Sequence, residues 1–132
     1  MIRKIGLGLL ALFILITIVT FAFYSSFRSE NLAALEAGSQ IAETSAGPIE
    51  YQIVGDTGSV LLFLHGSPGG YDGVSALTEM EGLDGFRILT PSRPGYLRTP
   101  LEVGRTPTAQ AHAYAALLDS LSINSVIVMG AS

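Results

Sequence analysis

Twenty consecutive residues, Ile5 to Tyr24, carry no charge, and no other feature limits the folding options of this chain so strongly. At helical rise the stretch spans about 30 Å, the hydrocarbon thickness of a bilayer. A secretory signal has a shorter apolar core, about 7–15 residues, followed by small residues at the cleavage site. Here Thr20-Phe21-Ala22-Phe23-Tyr24 places aromatic rings where small residues would be needed, and Tyr24 suits an interfacial anchor. The pattern predicts an uncleaved transmembrane signal-anchor over 5–24, with 1–4 as a cytoplasmic head. A cleaved signal and a buried core helix are the alternatives. Arg3 and Lys4 on one side face only Arg28 on the other, so the positive-inside rule puts the remainder on the non-cytoplasmic side of the membrane.

Beyond Arg28, four arginines (Arg87, Arg93, Arg98 and Arg105) stand against all eleven Asp and Glu of the chain. That acidic excess argues against nucleic acid or an anionic lipid surface as a partner. Cysteine is absent, which excludes a disulfide framework, a thiolate metal site and a thiol nucleophile. His65 and His112 are too few and too far apart in sequence to suggest a metal site. No metal and no cofactor is expected.

The remaining length allows one domain. Residues 25–47 are rich in Ser, Ala, Gly and Glu and read as a linker or stalk; 48–132 read as a partial α/β domain. Ile49-Glu50-Tyr51-Gln52-Ile53-Val54 alternates as a half-buried strand does, and Gly55-Asp56-Thr57-Gly58 is turn chemistry. Val60-Leu61-Leu62-Phe63-Leu64 is continuously apolar, the mark of a strand covered on both faces. A weak helix is expected around Val74 to Met80, then a second buried strand at Phe86-Arg87-Ile88-Leu89. Thr106 and Pro107 open the clearest helix as N-cap and first helical residue, with Ala111, Tyr114, Ala115, Leu118 and Leu121 on one face. A last strand is expected at Ser125 to Met129. Strands alternating with helices predict a mostly parallel sheet with crossover helices.

Two stretches carry chemistry. His65-Gly66-Ser67-Pro68-Gly69-Gly70 follows directly on a buried strand, and a loop so rich in glycine brings backbone N–H groups close to a ligand. Acyl transfer needs such donors where the carbonyl oxygen becomes negative. Met129-Gly130-Ala131-Ser132 then reads as strand-Gly-x-Ser, the first half of the G-x-S-x-G turn that lifts a nucleophilic serine above a sheet.

With Ser92-Arg93-Pro94-Gly95-Tyr96 after the second buried strand, these motifs make residues 49–132 resemble the alpha/beta-hydrolase superfamily, in its His-Gly-x-Pro branch of proline iminopeptidase-like and esterase-like members. The resemblance implies the N-terminal part of an alpha/beta-hydrolase sheet, preceded here by one transmembrane helix. It implies Ser132 as nucleophile and the Ser67 backbone N–H as one oxyanion-hole donor, the second donor coming from the residue after Ser132. Epoxide hydrolases and dehalogenases of the branch carry Asp at the elbow, so Ser132 favours a small-molecule ester, amide or peptide substrate. In the family the acid and histidine of the triad follow the serine in sequence, so a chain stopping at Ser132 is expected to be inactive and unstable alone. His112 reads as a solvated helix residue, His65 as a loop-organising hydrogen bonder, and Arg93 either as a loop-holding residue or as a substrate contact. Two non-enzymatic readings stay open: an exported binding module on the same fold, and a single-pass membrane interaction protein.

Overall fold

The computed structural model describes residues 2–74, 83 and 85–131. They form two compact units, one ending at Ala37 and the other beginning at Gly38. The first is helix α1, Ile2–Ala37. Its most apolar window has a mean hydropathy of 2.6, and it is long and apolar enough to cross a membrane. Polar side chains along it bond their own backbone: Thr17 Oγ1 donates to Phe13 O at 2.9 Å, and Ser25 Oγ to Ala22 O at 2.9 Å. A hydroxyl satisfied within its own helix is compatible with an apolar surround. The helix runs through Arg28 and Glu30 to Ala37, well past the charge-free stretch.

In the second unit, five strands among the described residues form one sheet in the order β1-β2-β4-β3-β5. They are β1 (Gln40–Thr44), β2 (Gly47–Val54), β3 (Ser59–Leu64), β4 (Phe86–Pro91) and β5 (Ile127–Gly130). Helix α2 spans Pro107–Ser120, and short 3₁₀ turns lie at Tyr71–Val74 and Leu101–Val103. The sheet is mixed: β3 pairs in parallel with both β4 and β5, whereas β1/β2 and β2/β4 are antiparallel.

Strand β1 falls within the residues expected to form a stalk. Gln40-Ile41-Ala42-Glu43-Thr44 has one large apolar residue, and Ile41 is exposed, so no hydrophobic pattern announces it. What creates it is the hairpin turn. Thr44 pairs with Gly47 in register, the Thr44 hydroxyl donates to Gly47 O at 2.7 Å and accepts from Ala46 N at 3.1 Å, and Gly47 takes φ +117, which favours glycine.

Strand β3 is covered on both faces, as its unbroken apolar run predicts. Val60 and Leu62 join Ile49, Tyr51, Leu89, Ala113, Tyr114 and Leu117 in one cluster; Leu61 and Phe63 join Ile88 in the other. Thr106 caps α2 as expected, its Oγ1 accepting from Ala109 N at 3.2 Å. The expected face is buried in part: Tyr114 lies in the core, and Leu118 and Leu121 are partly buried against it. Ala113, Tyr114 and Leu117 enter the core, while Ala111, Ala115 and Leu118 line an apolar groove with Leu62, Leu64, Val126 and Val128. The helix carries two adjacent apolar stripes, and sequence spacing alone does not rank them. The last strand begins later than expected, at Ile127, and among the described residues it pairs with β3; Ile127 and Val128 are exposed. The helix expected around Val74 to Met80 falls largely on residues outside those described.

Candidate active site

Three parallel strands end at one edge of the sheet, and each delivers one of the motifs there. β3 ends at Leu64 and feeds His65-Gly66-Ser67-Pro68-Gly69-Gly70; β4 ends at Pro91 and feeds Ser92-Arg93. β5 brings Gly130 into register with Leu64, and Ala131 N donates to Leu64 O at 3.0 Å. In open α/β sheets this carboxyl edge of the strands is where ligands bind. Ser132, the expected nucleophile, lies outside the described residues; its neighbour Ala131 is fixed beside the start of the glycine-rich loop. Ser67 is exposed within that loop.

His65 is buried, with 2% exposure. Its Nε2 accepts the Arg93 N–H at 3.0 Å, which requires that nitrogen to be unprotonated. Nδ1 then carries the proton and donates to Gly66 O at 2.8 Å. Tyr96 stands edge-on to the ring at 5.1 Å. With both nitrogens engaged, the imidazole organises the loop. Arg93 returns Nη1 to His65 O at 3.4 Å, so His65 engages it twice, through the ring at its amide and through the backbone carbonyl at its guanidinium. Its guanidinium also lies near the buried Tyr114 hydroxyl; burial raises the Tyr114 pKa, and the charge and hydrogen-bonding capacity of Arg93 oppose that. His112 is exposed on α2.

A polar centre that sequence patterning does not reveal lies beneath these loops. Glu50 sits on β2 at a position that alternation assigns to solvent, yet it is 1% exposed. Its Oε1 accepts from Ser39 Oγ and Arg98 Nε, both at 2.7 Å; its Oε2 accepts from Ser92 Oγ at 2.8 Å and Arg98 N at 3.1 Å. Burial pushes the Glu50 carboxyl up, but the hydrogen bonds from Ser39, Arg98 and Ser92 outweigh it and hold the group below the usual carboxylate value. The Glu50 backbone takes part as well, with its N–H donating to Thr99 Oγ1 at 2.9 Å and its carbonyl accepting from Ser92 N at 2.8 Å. Nearby Tyr71 is buried, which raises its phenol pKa. The available sequence signal was the second arginine of Ser92-Arg93-Pro94-Gly95-Tyr96-Leu97-Arg98, a cation that a buried carboxylate needs as partner.

Comparison with known proteins agrees with this geometry. The chain is similar to the uncharacterized hydrolase YcgS of Bacillus subtilis (strain 168), 40% identical over 89 residues that make up 65% of this chain and 30% of that protein. It is also similar to an alpha/beta hydrolase fold protein from Nakamurella multipartita, with 40% identity and a TM-score of 0.66 over 71% of this chain and 32% of that one. An esterase from Exiguobacterium antarcticum shares the fold at 20% identity and a TM-score of 0.59, covering 70% of this chain and 35% of that one. No family model matches the chain. The chain spans about a third of the length of these relatives. It has the alpha/beta-hydrolase fold, and its relatives include named hydrolases.

Proposed function

We propose that this chain serves a membrane-tethered serine hydrolase acting on an ester, amide or peptide bond. Ser132 is the nucleophile, and the Ser67 backbone N–H is one donor to the oxyanion that forms when the serine attacks the carbonyl carbon. The observation that carries the reading is the pairing of Gly130 with Leu64. It sets the strand leading to Ser132 directly against the strand leading to the glycine-rich loop, so that nucleophile and oxyanion donors would meet at one edge. A serine hydroxyl needs a base, with a third group to orient it. His65 is not that base, since both its ring nitrogens are occupied. Epoxide opening is disfavoured by a serine where that branch of the resemblance carries aspartate. The tether is α1, with residues 5–24 in the bilayer, 1–4 on the cytoplasmic side and the sheet domain outside.

The test is Ser132→Ala in the complete gene product, assayed with a small activated ester. Turnover should fall by about 10³-fold or more, leaving what binding and oxyanion stabilisation supply. A variant that hydrolyses the ester as fast as wild type removes Ser132 as nucleophile. A wild type without turnover leaves the non-catalytic binding module as the better reading.

A further inference from the structure

The loop after β4 does more than border the glycine-rich loop: it grips that loop at both ends. At the start, Arg93 N–H donates to His65 Nε2 at 3.0 Å. At the end, Ser92 Oγ accepts from Tyr71 N at 3.2 Å, and Tyr71 directly follows Gly70. Between the two, Leu97 packs so closely over Gly70 that an added Cβ at Gly70 would collide with it. Leu97 is held at φ +47, a left-handed conformation that a bulky residue rarely adopts and that surrounding structure must enforce. The enforcement is visible: Tyr96 N donates to Arg93 O at 2.9 Å, Thr99 N to Tyr96 O at 3.1 Å and Gly95 N to Thr99 O at 3.0 Å. Arg98 and Ser92, at the two ends of the turn, both bond the buried Glu50 carboxylate.

We propose that Ser92 to Thr99 form a clamp, anchored on Glu50, that sets the position of the His65–Gly70 loop and so aims the Ser67 N–H. Ser92 and Arg93 are positioning residues: they act through the loop backbone. The inference rests on the hydrolase reading for its catalytic consequence, but the clamp itself is a matter of hydrogen bonds that can be observed separately. A fixed donor matters more to the transition state than to bound substrate, because only there does the carbonyl oxygen carry full charge. Loosening the clamp should therefore lower kcat while leaving KM nearly unchanged.

The experiment uses the complete gene product as wild type, Ser92→Ala and Ser92→Thr. In Ser92→Ala, exchange of the Tyr71 amide should rise about tenfold while the amides of Ala113 to Leu117 in α2 keep their protection. With the same activated ester, kcat should fall about tenfold and KM stay within about twofold; Ser92→Thr, which keeps the hydroxyl, should restore both readouts towards wild type. Exchange that rises equally in α2, or kcat unchanged beside a freed Tyr71 amide, overturns the clamp. Should Ser92→Ala not fold, the ¹⁵N spectrum of the wild-type His65 ring decides: protonation on Nδ1 with Nε2 accepting supports the clamp, and protonation on Nε2 sinks it. A wild type without turnover removes the hydrolase reading alone, since the exchange and tautomer measurements still test the clamp.

Discussion

Glu50 and Arg98 are 48 residues apart in sequence, yet the Arg98 guanidinium and backbone amide both donate to the Glu50 carboxylate, at 2.7 Å and 3.1 Å. The carboxylate is nearly sealed from solvent and Arg98 keeps 31% of its side chain exposed. An isolated carboxylate in that place would not stay ionised. Three donors in addition to the arginine amide make the charged form the stable one, and the pair joins β2 to the loop after β4.

That arrangement makes the sheet domain acid-sensitive. The folded-state pKa of Glu50 lies below its unfolded value, so its contribution to stability is complete above the unfolded pKa. It is lost as pH falls through the folded one. Chemical denaturation of the complete gene product, the form used for every variant that follows, should show stability declining over the lower part of the range from pH 7 towards pH 3. Glu50→Gln should be less stable at pH 7 and should flatten the decline. A decline of equal size in Glu50→Gln would assign it to other carboxylates.

Removing the cation should be worse than removing a surface charge. Arg98→Ala leaves Glu50 buried with part of its donor set missing, and the cost should be about 3 kcal/mol, the low end for breaking a buried pair because Arg98 is partly exposed. Equilibrium denaturation of the variant checks the figure; a loss within about 0.5 kcal/mol, typical of surface positions, would place the pair among the weak ones.

Gly58 closes the turn between β2 and β3 at φ +94, and a Cβ built there would lie inside the Gly85 carbonyl oxygen. Backbone cannot swing away as a flexible side chain can. Gly58→Ala should therefore destabilise by about 2 kcal/mol or more, combining left-handed strain with displacement of the approach to β4. A thermal melt suffices as the measurement. A Tm equal to that of wild type would mean that the turn relaxes around the methyl group.

The legible parts of this fold were those where local pattern and global environment agree. β3 reads correctly because a strand wet on neither face has no reason to alternate, and α2 reads correctly from Thr106-Pro107 because capping is a local hydrogen bond. β1 was not legible, since its strand state comes from pairing to β2 through the Thr44–Gly47 turn and not from its own residues. Glu50 was misread for a related reason: a period of two says which residues share a face, and a buried network can occupy the face expected to be wet. The motif loops could be read as loops, but their mutual grip depends on the order β4-β3-β5, which no single segment encodes.

The N-cap offers a smaller and cleaner test of local chemistry. Thr106 Oγ1 satisfies the Ala109 amide, which has no partner inside the helix. Thr106 is exposed, so Thr106→Ala removes the cap without opening a cavity and should cost about 1 kcal/mol. Thr106→Asp should retain the bond and favour the positive end of the helix dipole. If Ala and Asp are equally stable, the cap contributes nothing measurable to the domain.

The tether can be tested with the chemistry that the chain lacks. These 132 residues contain no cysteine, so in a product otherwise free of cysteine a single thiol introduced among them reports its own side of the membrane. Thr57→Cys lies in the exposed turn after β2, and Lys4→Cys lies before the apolar stretch. With the N-terminus inside, a membrane-impermeant maleimide should label Thr57→Cys in intact cells and label Lys4→Cys only after permeabilisation. The opposite pattern would reverse the orientation, and labelling of both in intact cells would indicate that the stretch does not span. A lysine at the middle of the span adds an energetic test. Ile14→Lys should cost about 2.5–3.5 kcal/mol of insertion free energy and lower the fraction that stays with the membrane after alkaline extraction. If the extracted fraction is the same in wild type and Ile14→Lys, the apolar face of α1 is covered by protein and not by lipid.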